Sequence, residues 1–407
     1  MFNIATYGTL EKLINTTFSY MTMVVLLLLM PTLADAAKKP GTPATPYTYY
    51  SVGNPDMTPS VAQTRPDPSY VLMGGGPDVD EAFRWMIQRA GITPATGGRL
   101  VVIRATGDGG YNPYIYYSGR KSSVSNTYQD GWVGGASLGL TSVETLVIPS
   151  TAAANDPFVN AVVSRANAVW IAGGDQTDYF RYWKGQALET TLNGLMQKNV
   201  PIGGTSAGLA VLGGFDFSGF NGTVTSTQAL TDPYNLYMTF DPSPLSTSGG
   251  FIAPPVFANM IMDSHLDSRD RMGRLVTFVS RLISLHTMAG TQQLGCTGGV
   301  LQNNTARGIG VGVEAALLVQ RNSDGSHTGR RVTNVSTTTE SAIYFVNVTQ
   351  GPTVCASGRP LSIPTSAIQI RKLADDTSRI NLSDWSAYPV YKSGGVESGS
   401  LFPTNPY

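Results

Sequence analysis

The sequence predicts an α/β fold built on a parallel sheet, and three observations carry that prediction. Tyr70-Val-Leu-Met73 is a short apolar run that enters Gly74-Gly75-Gly76 and then an amphipathic segment with Val79, Ala82, Phe83, Met86, Ile87 and Ala90 on one face. Leu100-Val-Val-Ile-Arg104 follows as a second buried run, so strand, glycine turn, helix and strand form a βαβ unit. Further apolar runs at 143–148, 168–172 and just before Ser206 alternate with helical stretches, which extends the same arrangement.

The chain has 407 residues, room for one large α/β domain with appendages. Met21 to Leu33 is apolar and short for a bilayer span, and Ala34-Asp35-Ala36 supplies a small-residue cleavage site. Residues 1–36 therefore read as a signal peptide, with a secreted or periplasmic product and no membrane span after processing. A start at Met21 or Met23, or retention of the segment as an anchor, is the alternative. Residues 37–66, rich in Pro, Thr, Ser and Tyr, read as an extended arm or linker.

The catalytic α/β domain is expected over 67–330. Its first helix has Asp78 as cap and Gly91 as stop. The stretch 105–140 has little period and reads as a long loop beside the sheet. Asn155-Asp156-Pro157 starts another helix, and one helix is expected near 179–198 with Leu188, Leu192, Leu195 and Met196 on its face. A later helix carries Met272, Leu275, Val276, Val279, Leu282 and Ile283, and 308–319 is apolar strand material whose one charge is Glu314. Residues 331–407 form a β-rich C-terminal extension packed on the catalytic domain.

With 27 basic and 27 acidic residues, the chain shows no electrostatic footprint for nucleic acid or an anionic membrane. The two cysteines, Cys296 and Cys355, lack the context of a nucleophile or metal ligand; in an oxidising compartment they can form one disulfide, although the sequence does not show that they meet. No two of the three histidines have metal-ligand spacing, so neither metal nor cofactor is expected. A homodimer is an assembly the sequence leaves open.

Gly204-Thr205-Ser206-Ala207-Gly208 matches the G-x-S-x-G pattern of a nucleophile presented between strand and helix, where bulky side chains would clash with the turn. A glycine-rich structural turn fits the pentapeptide equally; its place after a predicted strand favours the elbow. A serine nucleophile needs a base. His327 lies in a polar turn and His286 reads as the end of a helix, whereas His265 stands between Asp263 and Arg269, Arg271 and Arg274. Those arginines are either a solvated face paired with Asp267 and Asp270 or a carboxylate-binding cluster.

Ser206 in its glycine frame, Gly173-Gly174-Asp175-Gln176 after the preceding strand, and Asp263-Ser264-His265 followed by the arginines together resemble the serine peptidase family of cyanophycinase and peptidase E, through roughly residues 70–320. The resemblance implies a flavodoxin-like, mostly parallel sheet with helices on both faces, of the class I glutamine amidotransferase kind. It implies Ser206 as nucleophile, His265 as general base, Gly174 and Ala207 as oxyanion-hole donors, and Gln176, Asp263, Arg269 and Arg274 as substrate-binding residues. Glu314, in Gly310-Val-Gly-Val-Glu314, stands one residue from the family's position for the acid that orients the imidazole; Asp216 and Asp263 are the reserves. The implied activity is exopeptidase hydrolysis of aspartyl or β-aspartyl bonds, in cyanophycin or a similar peptide polymer. Ser264 replaces the glutamine that cyanophycinases carry, so an α-aspartyl dipeptidase is the nearest alternative. A catalytically inactive binding protein on the same fold is another.

Overall fold

Nine strands form the larger sheet, in the order Thr48–Gly53, Ser142–Val147, Arg99–Arg104, Ala168–Ile171, Ile202–Thr205, Ser69–Met73, Ala315–Arg321, His327–Thr333, Ile380–Asn381. The five strands from 142–147 to 69–73 are all parallel, and antiparallel strands complete both edges. The computed structural model describes residues 44–57, 64–117, 131–243, 250–288, 292–337 and 340–407; the expected signal peptide lies outside them.

Strand side chains alternate between faces. Val101, Ile103, Val169 and Ile171 accordingly pack with Val159 and Val163 of helix Pro157–Ser164 and Leu188 and Leu192 of helix Ala187–Gln197. Leu100, Val102, Ala168 and Trp170 pack on the other side with Phe83, Met86 and Ile87 of helix Asp80–Arg89. Helices thus cover both faces of the parallel core, and the fold is α/β with a β-rich C-terminal region.

A second sheet of six strands runs in the order Ser400–Phe402, Lys392–Glu397, Ile363–Leu373, Ile343–Val348, Arg307–Val311, Met260–Asp263, and only its last pair is parallel. Residues beyond 331 therefore do not make a separate layer. They pair with strands of the preceding segment, and 380–381 joins the larger sheet. Thr45–Tyr407 is one compact unit. Cys296 and Cys355 are joined by a disulfide.

Several local expectations change. The arm contributes strand Thr48–Gly53, held on the sheet edge where Tyr49 Oη donates to buried Glu144 at 2.8 Å. The single helix near 179–198 is two, Gln176–Tyr182 and Ala187–Gln197, because Gly185 takes φ 75° and turns the chain. His286 lies in a short strand, His286–Met288. Residues 308–319 are divided between the two sheets, Arg307–Val311 and Ala315–Arg321, with the break at Gly312-Val313-Glu314. Asp78 does not cap its helix; Val79 holds that position without a side-chain bond, and Asp78 turns to Tyr111.

Candidate active site

Ser206 ends the strand Ile202–Thr205 and precedes the short helix Ala207–Ala210. Its backbone is forced to φ 53°, ψ −113°, a region that L-residues rarely occupy, and its N–H donates to Met73 O at 3.1 Å. The glycines permit this turn sterically: a Cβ on Gly204 would lie 2.3 Å from Gly208 O, and one on Gly208 would lie 2.0 Å from Ile171 O. The backbone N–H of Ala207 and that of Gly174 donate to no acceptor among the described residues. Gly173 lies beside Ser206, since a Cβ there would be 3.4 Å from the serine Cβ.

His265 leaves the strand Met260–Asp263, and its Nε2 lies 2.9 Å from Ser206 Oγ. The imidazole is fixed from below. His265 N–H donates to Gly74 O at 2.8 Å, and Gly75 closes on the ring so tightly that a Cβ would lie 2.2 Å from Cε1. Burial, then the positive charges of Arg269 and Arg271, lowers the imidazole pKa from 6.5 to about 4. The ring is therefore neutral at pH 7 and able to take the hydroxyl proton.

Glu314 shares the loop that supports His265: its N–H donates to Gly75 O at 3.1 Å, one residue from the carbonyl that holds His265. No hydrogen bond or ion pair joins its carboxylate to the imidazole, and Nδ1 has no partner among the described residues. The expected third side-chain contact is thus not made in this conformation. Neither reserve makes it. Asp216 is fully buried, accepts from Gly213 N–H at 2.9 Å, and burial beside Asp241 pushes its carboxyl well up. Asp263 is engaged by arginine.

That engagement alters the expected substrate set. Asp263 accepts from Arg274 Nε at 2.7 Å and Nη2 at 2.6 Å in a buried bidentate pair, while Arg274 Nη1 donates to Thr223 Oγ1 and Val224 O, each at 3.1 Å. Asp263 and Arg274 line the cavity but are occupied with each other; breaking such a pair would strand a buried charge. Arg271, its guanidinium lowered to about 10 by burial, donates to Ser264 O at 2.8 Å. Arg269 is exposed and makes no side-chain hydrogen bond or ion pair among the described residues, so it is the arginine available for a ligand.

Two cavities meet at Ser206. One, of about 570 Å³, is lined by Gly174, Gln176, Asp263, Arg269, Arg271 and Arg274, together with residues 222–227, which lead into helix Ser226–Thr231 and belong to the Gly-, Ser-, Pro- and Phe-rich stretch 214–262 that the sequence places near the elbow. The other, of about 790 Å³, contains His265 with Asp78, Arg104, Tyr111 and Tyr114. Among the described residues no three His, Cys, Asp or Glu side chains gather as a metal site, and no helix is long and apolar enough to cross a membrane.

Neither a protein-family model nor a curated protein matches the chain. Among solved structures, a peptidase from an acI-B1 Actinobacterium is similar at 14% identity and TM-score 0.42, covering 78% of this chain and 98% of that one. A protein assigned as a peptidase E from Listeria monocytogenes EGD-e is similar at 11% identity and TM-score 0.33, covering 66% of this chain and 100% of that one.

Proposed function

We propose that the protein is an exported serine peptidase that hydrolyses an aspartyl or β-aspartyl peptide bond through an acyl-enzyme on Ser206. The observation that carries this reading is the 2.9 Å contact between Ser206 Oγ and His265 Nε2 on a strained elbow beside two free amide donors. Ser206 Oγ attacks the scissile carbonyl carbon as its proton passes to His265 Nε2. The resulting oxyanion sits against the N–H groups of Ala207 and Gly174, each such donor being worth about 3 kcal/mol in the transition state. The C–N bond then breaks, the leaving amine taking the proton from His265. Water, deprotonated by the same imidazole, hydrolyses the ester and restores Ser206.

The acyl side of the substrate is acidic. Arg269 presents an unpaired guanidinium to the smaller cavity, Gln176 opens its helix there with the side-chain amide 3.3 Å from Phe217 O, and the Asp263–Arg274 pair stiffens the wall. A cyanophycin-like polymer fits that chemistry, with β-Asp-Arg as product; the Ser264 replacement keeps α-aspartyl dipeptides as the competing substrate. Incubating the purified protein with cyanophycin and with α-aspartyl dipeptides separates them. Release of β-Asp-Arg, abolished in Ser206→Ala, is the expected result. Cleavage of α-aspartyl dipeptides alone would move the assignment to a dipeptidase, and undiminished hydrolysis by Ser206→Ala would overturn the mechanism.

A further inference from the structure

The sheet face under helix Asp80–Arg89 changes character along the antiparallel pair Ala315–Arg321 and His327–Thr333. Side chains two apart share a face, and here Ala316 stands opposite Val332, Leu318 opposite Arg330 and Gln320 opposite Thr328. Ala316, Leu318 and Val332 are buried with Trp85 of the helix in one apolar cluster. Beyond them the same face turns polar with Arg330, Gln320 and Thr328. Together with Arg379, one residue before strand Ile380–Asn381, these side chains enclose a cavity of about 240 Å³ whose apolar part is Trp85 and Leu318. Leu318 pairs with Val71 and Gln320 with Ser69, so the cavity lies toward the amino end of strand Ser69–Met73, whose carboxyl end leads to the site at Ser206. It shares no lining residue with either cavity there.

The positive charge in this cavity is uncompensated. Arg330 is half-buried and makes no side-chain hydrogen bond or ion pair among the described residues. Arg379 uses Nη1 to hold the carbonyls of Asp376, Thr377 and Ser378, each at 2.8 Å, which leaves its Nε and Nη2 without a partner among the described residues. The acidic neighbours are engaged elsewhere: Glu81 lies 3.8 Å from Arg84 Nη1, and Asp376 accepts from Arg331 Nη1 at 2.8 Å. Burial, then the charge of Arg379, lowers the Arg330 guanidinium from its ordinary value, and an anion beside it would offset both effects.

We propose that this cavity binds an organic carboxylate with a short apolar body. The carboxylate accepts from Arg330 and Arg379, the side-chain amide of Gln320 adds a donor, and the body lies against Trp85 and Leu318. A guanidinium fork matches a carboxylate in shape and charge. An inorganic anion would meet the same donors but leave the indole and the leucine uncovered.

Calorimetric titration of the whole protein with benzoate, its neutral isostere benzamide, and inorganic phosphate tests this. Benzoate is expected to bind saturably, at least about tenfold more tightly than benzamide, in keeping with charge-assisted hydrogen bonds, and more tightly than phosphate. Arg330→Gln should lower its affinity to that of benzamide, whereas Arg269→Gln, in the cavity at Ser206, should leave it unchanged. Benzoate binding no more tightly than benzamide, or phosphate binding as tightly as benzoate, overturns the proposal. So does benzoate binding that persists in Arg330→Gln or is lost in Arg269→Gln. Where Arg330→Gln fails to fold, a crystal of the parent protein soaked in benzoate decides: a carboxylate against Arg330 supports the proposal, and none there overturns it.

Discussion

Ser206, His265 and Glu314 all hold positive φ, at 53°, 50° and 57°, although none is glycine. Each such residue costs roughly 1–3 kcal/mol unless its surroundings impose it, and here one loop, Gly74–Gly75, bonds to both His265 and Glu314. The charges around the base set its pH behaviour. An imidazole lowered to about 4 stays neutral across the physiological range, so kcat/KM should hold down to acid pH and fall only as pH drops toward 4. Arg269→Gln removes one of the charges that lowers it; the imidazole rises and the acid limb of the pH–rate profile should move to higher pH. An acid limb at 6.5 or above in the parent protein would contradict this electrostatic account. Ser206 and His265 were legible because a nucleophile elbow and a histidine ahead of arginines leave local marks. The occupation of Arg274 by Asp263 was not, since helical spacing sets Arg271 and Arg274 on one face and Arg269 on another without telling which carboxylate that face meets.

The elements that position the site end where their strands break. Arg307–Val311 and Ala315–Arg321 belong to different sheets, so Gly312-Val313-Glu314 crosses between them at the level of His265. The sequence reads as one stretch of strand material because both strands are apolar and buried, and its one charge, Glu314, is the local mark of the crossing. The turn that follows His265 is held by a distant residue: Tyr407 Oη lies 3.1 Å from Leu266 O and 3.0 Å from both Asp270 Oδ1 and Met272 N, and its ring packs edge-on against Tyr344. Tyr407→Phe keeps the ring and deletes the hydroxyl. It should lower the unfolding free energy by about 1–2 kcal/mol and reduce kcat/KM, measured by denaturant titration and by hydrolysis. Unchanged values would show that the turn needs no such tie. No periodicity in the sequence could link residue 407 to residue 270.

At the scale of the molecule, the parallel core was readable from repeated βα units, while the second sheet was not, because antiparallel partners distant in sequence leave no short-range signal. The expected C-terminal extension meets the preceding segment by strand pairing: Ile343–Val348 pairs with Arg307–Val311, so the C-terminal strands complete the sheet that carries Asp263. The Cys296–Cys355 bridge closes 59 residues across this region and should contribute about 4 kcal/mol by restricting the unfolded chain. The doubly substituted Cys296→Ala, Cys355→Ala protein should unfold at correspondingly lower denaturant, and an unchanged midpoint would contradict that contribution. All of these parts serve one arrangement, a strained serine against a neutral histidine. The most direct measurement is mass spectrometry of the intact protein after treatment with a fluorophosphonate probe. The account predicts a single adduct on Ser206 that is lost in His265→Ala; an unlabelled Ser206 in the folded parent protein would contradict it.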